Sequence, residues 1–322
     1  MQDKFIVMEN DEYHAHSALG SSDVRRIMIS PLHFEGREEP AVRPTYFTFG
    51  SAAHCAYLEP HKFEEEYRAK PLEVDGKGPR TNYYKDWLAT QPPCEWLSPE
   101  DYDKVLKVVE SAVAHPITAE SFIDGHVVEG SVFFKLDGVE CKARPDLVTP
   151  VSDGIVDVVD LKTTTDASPE GFRKTVGNNQ LFVQEWFYRE ALKSVGLEVR
   201  RFVFLAVEKQ APYATAAYTL NQEDVEMARG MVKDALAAYA KAKETEVWEG
   251  YTSEVTQLNV PTWCLPRREE GPSANWLSVG EAMKSFGVSR TTLYNWINKG
   301  LESKRFGGKR YVSARAAVMF GV

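Results

Sequence analysis

The chain is poor in cysteine, has no long apolar run and opens on no leader-like segment, and each shortage narrows its role. Its four cysteines, Cys55, Cys94, Cys141 and Cys264, stand apart, with no C-x-x-C pair among them. That scatter argues against a zinc site or an iron–sulfur cluster and for reduced thiols in a cytoplasmic protein. No stretch approaches the roughly eighteen apolar residues of a membrane-spanning helix. The first residues also lack the basic, apolar and small-residue succession of a secretory signal. The expectation is a soluble cytoplasmic protein with no membrane partner.

Positive charge is also in short supply, but unevenly. The 322 residues carry a net charge of −9. Trp276 to Val322 hold eight Lys/Arg against two acids, net +6, which leaves the remainder at −15. Opposite signs suggest two units with different jobs. The length suits one large domain and a small one, expected at 1–265 and 276–322 with a linker at 266–275. An acidic body is compatible with carboxylates that hold metal, and a basic tail with nucleic acid.

The richest chemical pattern runs from Glu140 to Thr163. Two apolar, β-branched runs each deliver a carboxylate, Asp146 just after Pro145 and Asp160 two residues before Lys162. Side chains alternate along a strand, so Asp160 and Lys162 share one face while Val159 and Leu161 take the other. Pro145 cannot donate to a ladder and suits a strand end. If the two strands pair, Asp146, Asp160 and Lys162 converge, and two acids with an amine suit a divalent metal and an attacking water.

Around this stretch the order reads β-β-β-α-β. Strands are expected at Val127–Leu136 and Val139–Leu147, joined by an Asp137-Gly138 turn, and at Ile155–Lys162. Glu129 either faces the site or is a solvated strand acid. A helix over Asn179–Lys193 puts Gln184 and Tyr188 one turn apart. Strands Arg200–Glu208 and Tyr213–Leu220 and a helix Gln222–Thr245 follow. Upstream, a short helix from Ser21 carries Val24, Ile27 and Met28 inward and Arg25 and Arg26 outward, and Pro31 stops it. A helix within Thr45–Leu58 contains His54, and Pro99–Ala114 shows helical spacing. Residues 68–100 read as a long surface segment with little regular structure. Its Lys77, Arg80 and Lys85, among Tyr83, Tyr84 and Trp87, either line a nucleic-acid path or belong to a packed loop.

Pro145-Asp146 followed by Asp160-Leu161-Lys162 resembles the paired half-motifs of the PD-(D/E)XK nuclease superfamily. Gln184 and Tyr188 resemble the Gln-x-x-x-Tyr motif of its RecB-type branch. Upstream, Ser30-Pro31-Leu32-His33-Phe34, the Phe49 to His54 segment and Leu58-Glu59-Pro60 are similar to phage-type exonucleases related to exonuclease VIII (RecE). The resemblance spans residues 10 to 220. It implies an α/β fold with a mixed central sheet flanked by helices. It implies one or two Mg²⁺ or Mn²⁺ ions held by His54, Asp146, Asp160 and the carbonyl of Leu161. Lys162 would orient or deprotonate water or stabilise the transition state, and Gln184 and Tyr188 would position the DNA backbone. Arg25 and Arg26 are candidates for phosphate contact at the DNA entrance, or simply a solvated face. His54, alone, would more often be a satisfied core histidine.

The tail has its own signature. Leu277 to Phe286, a turn at Gly287, and a second helix Arg290–Asn298 capped by Ser289 resemble the MerR/excisionase type of helix-turn-helix, with Arg305 to Tyr311 as a basic wing. Arg290, Thr291, Tyr294, Asn295, Lys309 and Arg310 are its candidate DNA contacts; oligomer contacts are the bland alternative.

The resemblance therefore implies a metal-dependent exonuclease that digests double-stranded DNA from its ends, 5′ to 3′, in phage-type recombination. It further implies a ring-forming homo-oligomer, a single-strand annealing partner and, if phage-encoded, the bacterial host cytoplasm. The rivals are a structure-specific or site-directed endonuclease, a DNA-binding regulator with a dead nuclease fold, and a protein that docks a recombinase.

Overall fold

The computed structural model describes residues 1–37, 45–78, 80–261, 264, 275–306, 308–314 and 320, with backbone alone at 45–47 and 306. The chain divides into two compact units, Met1–Thr252 and Ser253–Val322.

The first unit has helices α1 (Asn10–Ala15), α2 (Ser21–Ile29), α3 (Pro31–Glu35), α4 (Thr45–Leu58), α5 (Pro60–Glu66), α6 (Asn82–Leu88), α7 (Pro99–Ala114), α8 (Pro116–Ser121), α9 (Pro169–Asn178), α10 (Leu181–Ser194) and α11 (Gln222–Thr245). Its strands are β1 (Tyr67–Ala69), β2 (Glu95–Leu97), β3 (Val127–Val128), β4 (Val132–Leu136), β5 (Val139–Ala143), β6 (Leu147–Ser152), β7 (Ile155–Thr164), β8 (Glu198–Glu208) and β9 (Thr215–Tyr218). The central sheet runs β3-β6-β7-β8-β9, and β4-β5 form a separate hairpin.

β7 is the middle strand, antiparallel to β6 and parallel to β8. A parallel neighbour needs a long crossover, which α9 and α10 supply. The strand is buried on both faces and so reads as a nearly continuous apolar run. Val156 and Val158 enter a core shared with α2, α10 and α11. Val159 and Leu161 enter a second core with Ala52, Ala53 and Ala56 of α4 and Val105, Val108 and Ala112 of α7. Side-chain caps fix where these helices begin. Ser98 accepts from the Asp101 N–H ahead of Pro99, and Ser168 accepts from the Gly171 N–H ahead of Pro169.

The mixed sheet flanked by helices is the expected fold class, but several elements differ from their sequence reading. The expected strand Val127–Leu136 is broken at Glu129, whose φ is +48°, so β3 joins the central sheet and β4 the hairpin. The expected strand Val139–Leu147 also divides. The chain leaves the hairpin after Ala143, and Leu147–Ser152 becomes β6, which pairs with β7. Gly130 and Pro145 stand at the two breaks, but apolar β-branched residues on either side of each read as continuing strands, and which strand lies alongside decides where each piece pairs. Residues 68–100 contain α6 and the parallel pair β1-β2. Pro31 does not merely stop α2. It opens α3, with Ser30 capping the His33 N–H.

In the second unit β10 (Trp276–Ser278), β12 (Lys309–Ser313) and β11 (Ser303–Phe306) form an antiparallel sheet in that order. Helices α12 (Val279–Phe286) and α13 (Arg290–Asn298) pack on it through Ala282, Leu293, Leu301 and Val312. Gly287, at φ +65°, ends α12 in the left-handed conformation glycine tolerates best. Ser289 caps α13 by accepting from the Thr292 N–H. Of the expected linker, 266–274 lie outside the described residues. Among the described residues no helix is long and apolar enough to cross a membrane.

Candidate active site

Arg144 to Asp146 connect the hairpin to the central sheet, and Asp146 stands just before β6. The register Leu147↔Val159 brings Asp146 level with Asp160. The Leu161 N–H donates to Asp146 Oδ2 at 2.7 Å. His54, from α4, places Nδ1 3.3 Å from the same oxygen. The third arrival is Glu129, whose N–H donates to the Asp146 carbonyl at 3.0 Å. One ligand atom from each of His54, Glu129 and Asp146 lies within 4.8 Å of the others. An imidazole and two carboxylates suit a divalent cation.

Asp160 is fully buried beside this trio rather than in it. Gln184 Nε2 donates to Asp160 Oδ1 at 2.7 Å. The Lys162 ammonium lies against Oδ2, which nonetheless accepts no hydrogen bond of ordinary geometry. Burial and then the neighbouring Asp146 push the Asp160 carboxyl well above the usual range, with Lys162 opposing. Burial and Asp146 raise Glu129 likewise, against Arg144. His54 is shifted the other way. Burial, helped by Lys162, outweighs Asp146 and its Leu161 backbone hydrogen bond, so the ring is held neutral with a lone pair to offer. Crowded acids, a neutral imidazole and a carboxylate oxygen met only by a misaligned lysine ammonium fit a divalent cation.

The remaining expected residues divide by position. Tyr188 follows Gln184 by one turn of α10. Burial pushes its phenol well above the ordinary value, while a hydrogen bond with Gln184 works the other way. Arg25 departs from expectation. It is half-buried rather than outward, because α2 packs between α10 and α11. Its guanidinium donates to the Asn179 carbonyl, and its buried Nε has no hydrogen-bond partner. Burial lowers its pKa, while the charges of Tyr188 and Asp160 raise it. Arg26 is exposed, as are Arg290, Thr291, Asn295 and Lys309 of the second unit. Tyr294 is half-buried, with the Arg310 guanidinium 5.6 Å from its ring centroid.

Glu129 is the residue that sequence reasoning left undecided. On a continuous strand it reads as one of several acids. The signal that could have separated it is the following Gly130, where an added Cβ would meet Phe5 and Val127 at 2.6 Å. A glycine forced by close packing marks a departure from strand geometry.

Residues 26–259 match the family described as a PDDEXK-like domain of unknown function, and residues 276–316 match a helix-turn-helix domain. No curated protein matches the chain. Among solved structures, a Eubacterium rectale protein provisionally described as an exonuclease superposes with a TM-score of 0.54 at 13% identity, over 82% of this chain and 99% of its own. A phenuiviridae cap-snatching endonuclease follows at TM-score 0.21 and 14% identity, over 48% of this chain and 73% of its own. Protein VC1899 from Vibrio cholerae stands at TM-score 0.21 and 11% identity, over 70% and 55%. At such identities only the first likeness speaks, and it speaks of the fold. The family match covers most of the chain: the chain belongs to the PDDEXK-like family, with a helix-turn-helix domain after it.

Proposed function

We propose that this chain is a divalent-metal-dependent deoxyribonuclease that digests double-stranded DNA from its ends, 5′ to 3′. The observation that carries the reading is the convergence of His54, Glu129 and Asp146 beside the buried Asp160 and its half-buried partner Lys162. His54, Glu129 and Asp146 would hold Mg²⁺ or Mn²⁺, with Asp160 and the Leu161 carbonyl as further oxygen donors. Such a cation lowers the pKa of bound water and neutralises charge gathering on the phosphate. Lys162, rooted on Asp160, presents its ammonium where the attacked phosphate gains charge and where the water must be aimed. Gln184 holds Asp160 in place and, with Tyr188, lines the path of the backbone. Arg25, its Nε unmatched, faces the same region and suits a phosphate oxygen. The strand left behind would pass to an annealing recombinase, and the working form would be a homo-oligomeric ring in the cytoplasm.

The second unit favours one other reading. A helix-turn-helix domain with exposed Arg290, Thr291 and Asn295 could choose the DNA for a site-directed endonuclease. Digestion of linear and covalently closed circular duplex with Mg²⁺, beside Lys162→Ala, separates the two. Loss of linear DNA alone, abolished by the substitution, is the expected result. Cutting of the circle would establish the endonuclease. Binding without metal-dependent cleavage of either would leave a DNA-binding regulator.

A further inference from the structure

Glu129 stands at φ +48°, outside any strand, its backbone held there by the Asp146 carbonyl, while its carboxylate depends on another group for its direction. Arg144 is the group within reach. Its Nε lies 3.9 Å from Glu129 Oε2, and among the described residues no other carboxylate comes within ion-pair distance of it. Arg144 is itself buried and tethered on several sides. Nε donates to Ser131 Oγ at 2.9 Å, Nη2 to the Met8 carbonyl at 3.0 Å, and Nη1 reaches Asn10 Oδ1 at 3.5 Å. The guanidinium also lies 4.2 Å from the centroid of the Tyr13 ring.

We infer that Arg144 is a positioning residue: it aims Glu129 at His54 and Asp146, and the segment from Met8 to Tyr13 holds Arg144 for that purpose. The segment is anchored independently of the site. Ile6 bridges to Ser131 and Leu19 to Cys141, so it runs along the β4-β5 hairpin. Lys142, two residues before Arg144 and on the same face, donates to the carbonyls of Tyr13 and His16 at 2.6 and 2.8 Å and fastens the end of α1. Carbonyl dipoles and an aromatic face thus satisfy the cation without neutralising it, and its charge remains available to Glu129. Of the residues that hold Arg144, Met8, Asn10 and Tyr13 precede residue 26, where the family match begins, and Ser131 lies within it.

The inference rests on the metal-site reading, and its test measures binding rather than cleavage. The full chain is titrated with MnCl₂ by calorimetry, alongside Arg144→Gln, Ser131→Ala and Glu129→Gln. A merely neighbouring cation repels the metal, so its removal should tighten Mn²⁺ binding. A positioning residue predicts the opposite sign. The expected result is weakening of about tenfold or more for Arg144→Gln, in the range typical of groups that orient metal ligands. Ser131→Ala should weaken binding severalfold; it removes one tether while Arg144 and the backbone pairing with Ile6 remain. Mn²⁺ affinity in both variants equal to or above that of the native chain overturns the inference. If Arg144→Gln does not fold, Ser131→Ala decides alone by the same criterion. Failure of the native chain to bind Mn²⁺ at all would instead overturn the metal-site reading beneath it.

Discussion

Asp157 and Asp160 stand three residues apart on β7, both buried, yet only one has its charge fully answered. Asp157 accepts from Arg200 at 3.0 and 2.7 Å and from Arg201 at 3.2 Å. Burial pushes its carboxyl up, but the hydrogen bond from Arg200 and the charges of both arginines outweigh that and hold it below the ordinary value. Asp160 has one amide hydrogen bond, one lysine against an oxygen without an aligned donor, and Asp146 beside it. Its carboxyl is pushed up. The same residue type on the same strand is finished in one place and left incomplete in the other. Incomplete compensation of a buried charge is the mark of a candidate functional site.

The comparison can be broken most sharply at Asp160. Asp160→Ala should reduce cleavage of linear DNA by about 10²–10³-fold, the scale on which one electrostatic group acts at a reacting centre. The melting temperature should not fall, because the substitution relieves crowding among carboxylates. A clear loss of stability with activity retained would make Asp160 a structural acid after all. Asp157→Ala should do the reverse. It removes the carboxylate that Arg200 and Arg201 share; both arginines reach solvent and Arg201 keeps Glu120, so the first unit should be destabilised by only about 1 kcal/mol by denaturant titration. Cleavage per folded molecule should be unchanged.

The smallest effect sharpens the comparison through pH. A carboxyl whose folded value lies below its unfolded value of about 3.9 adds stability above that pH and loses it as pH falls through the folded value. The native chain should therefore lose this increment on acidification below about pH 4. Asp157→Asn should show a shallower fall over the same window, measured by thermal melts. Parallel slopes in the two proteins would show that the arginine pair contributes nothing there.

Much of this arrangement is legible in the sequence. The alternation along Ile155–Lys162 places Asp160 and Lys162 on one face, and the helical spacing of Gln184 and Tyr188 puts both on the side of α10 that meets them. The period sets Gln184 and Tyr188 on one face, and the resemblance to the Gln-x-x-x-Tyr motif is what singles them out. The two strand breaks were not legible, because leaving one sheet for another depends on partners far along the chain: β5 pairs with β4 on one side of Pro145, and β6 with β7 on the other. Glu129 sits at the first of those breaks, and its place stays open in the sequence between the site and a solvated strand for that reason. His54 came from resemblance, since an apolar helix says nothing of what faces its one imidazole. The periodicity of α2 alone turns Arg25 outward. A helix flanked by two others has a narrower outward face than its own pattern suggests.

One consequence follows from the amide of Leu161. β6 begins only at Leu147, opposite Val159, so further along this side of β7 no β6 carbonyl is available. The Asp146 carboxylate takes the place of a strand there. A backbone proton held by a side chain instead of a neighbouring strand is a natural gauge. Its hydrogen-exchange rate follows whatever engages Asp146, and Asp146→Asn should quicken it while its strand neighbours keep their protection. The middle of the sheet would then report on the state of its chemistry before any DNA is cut.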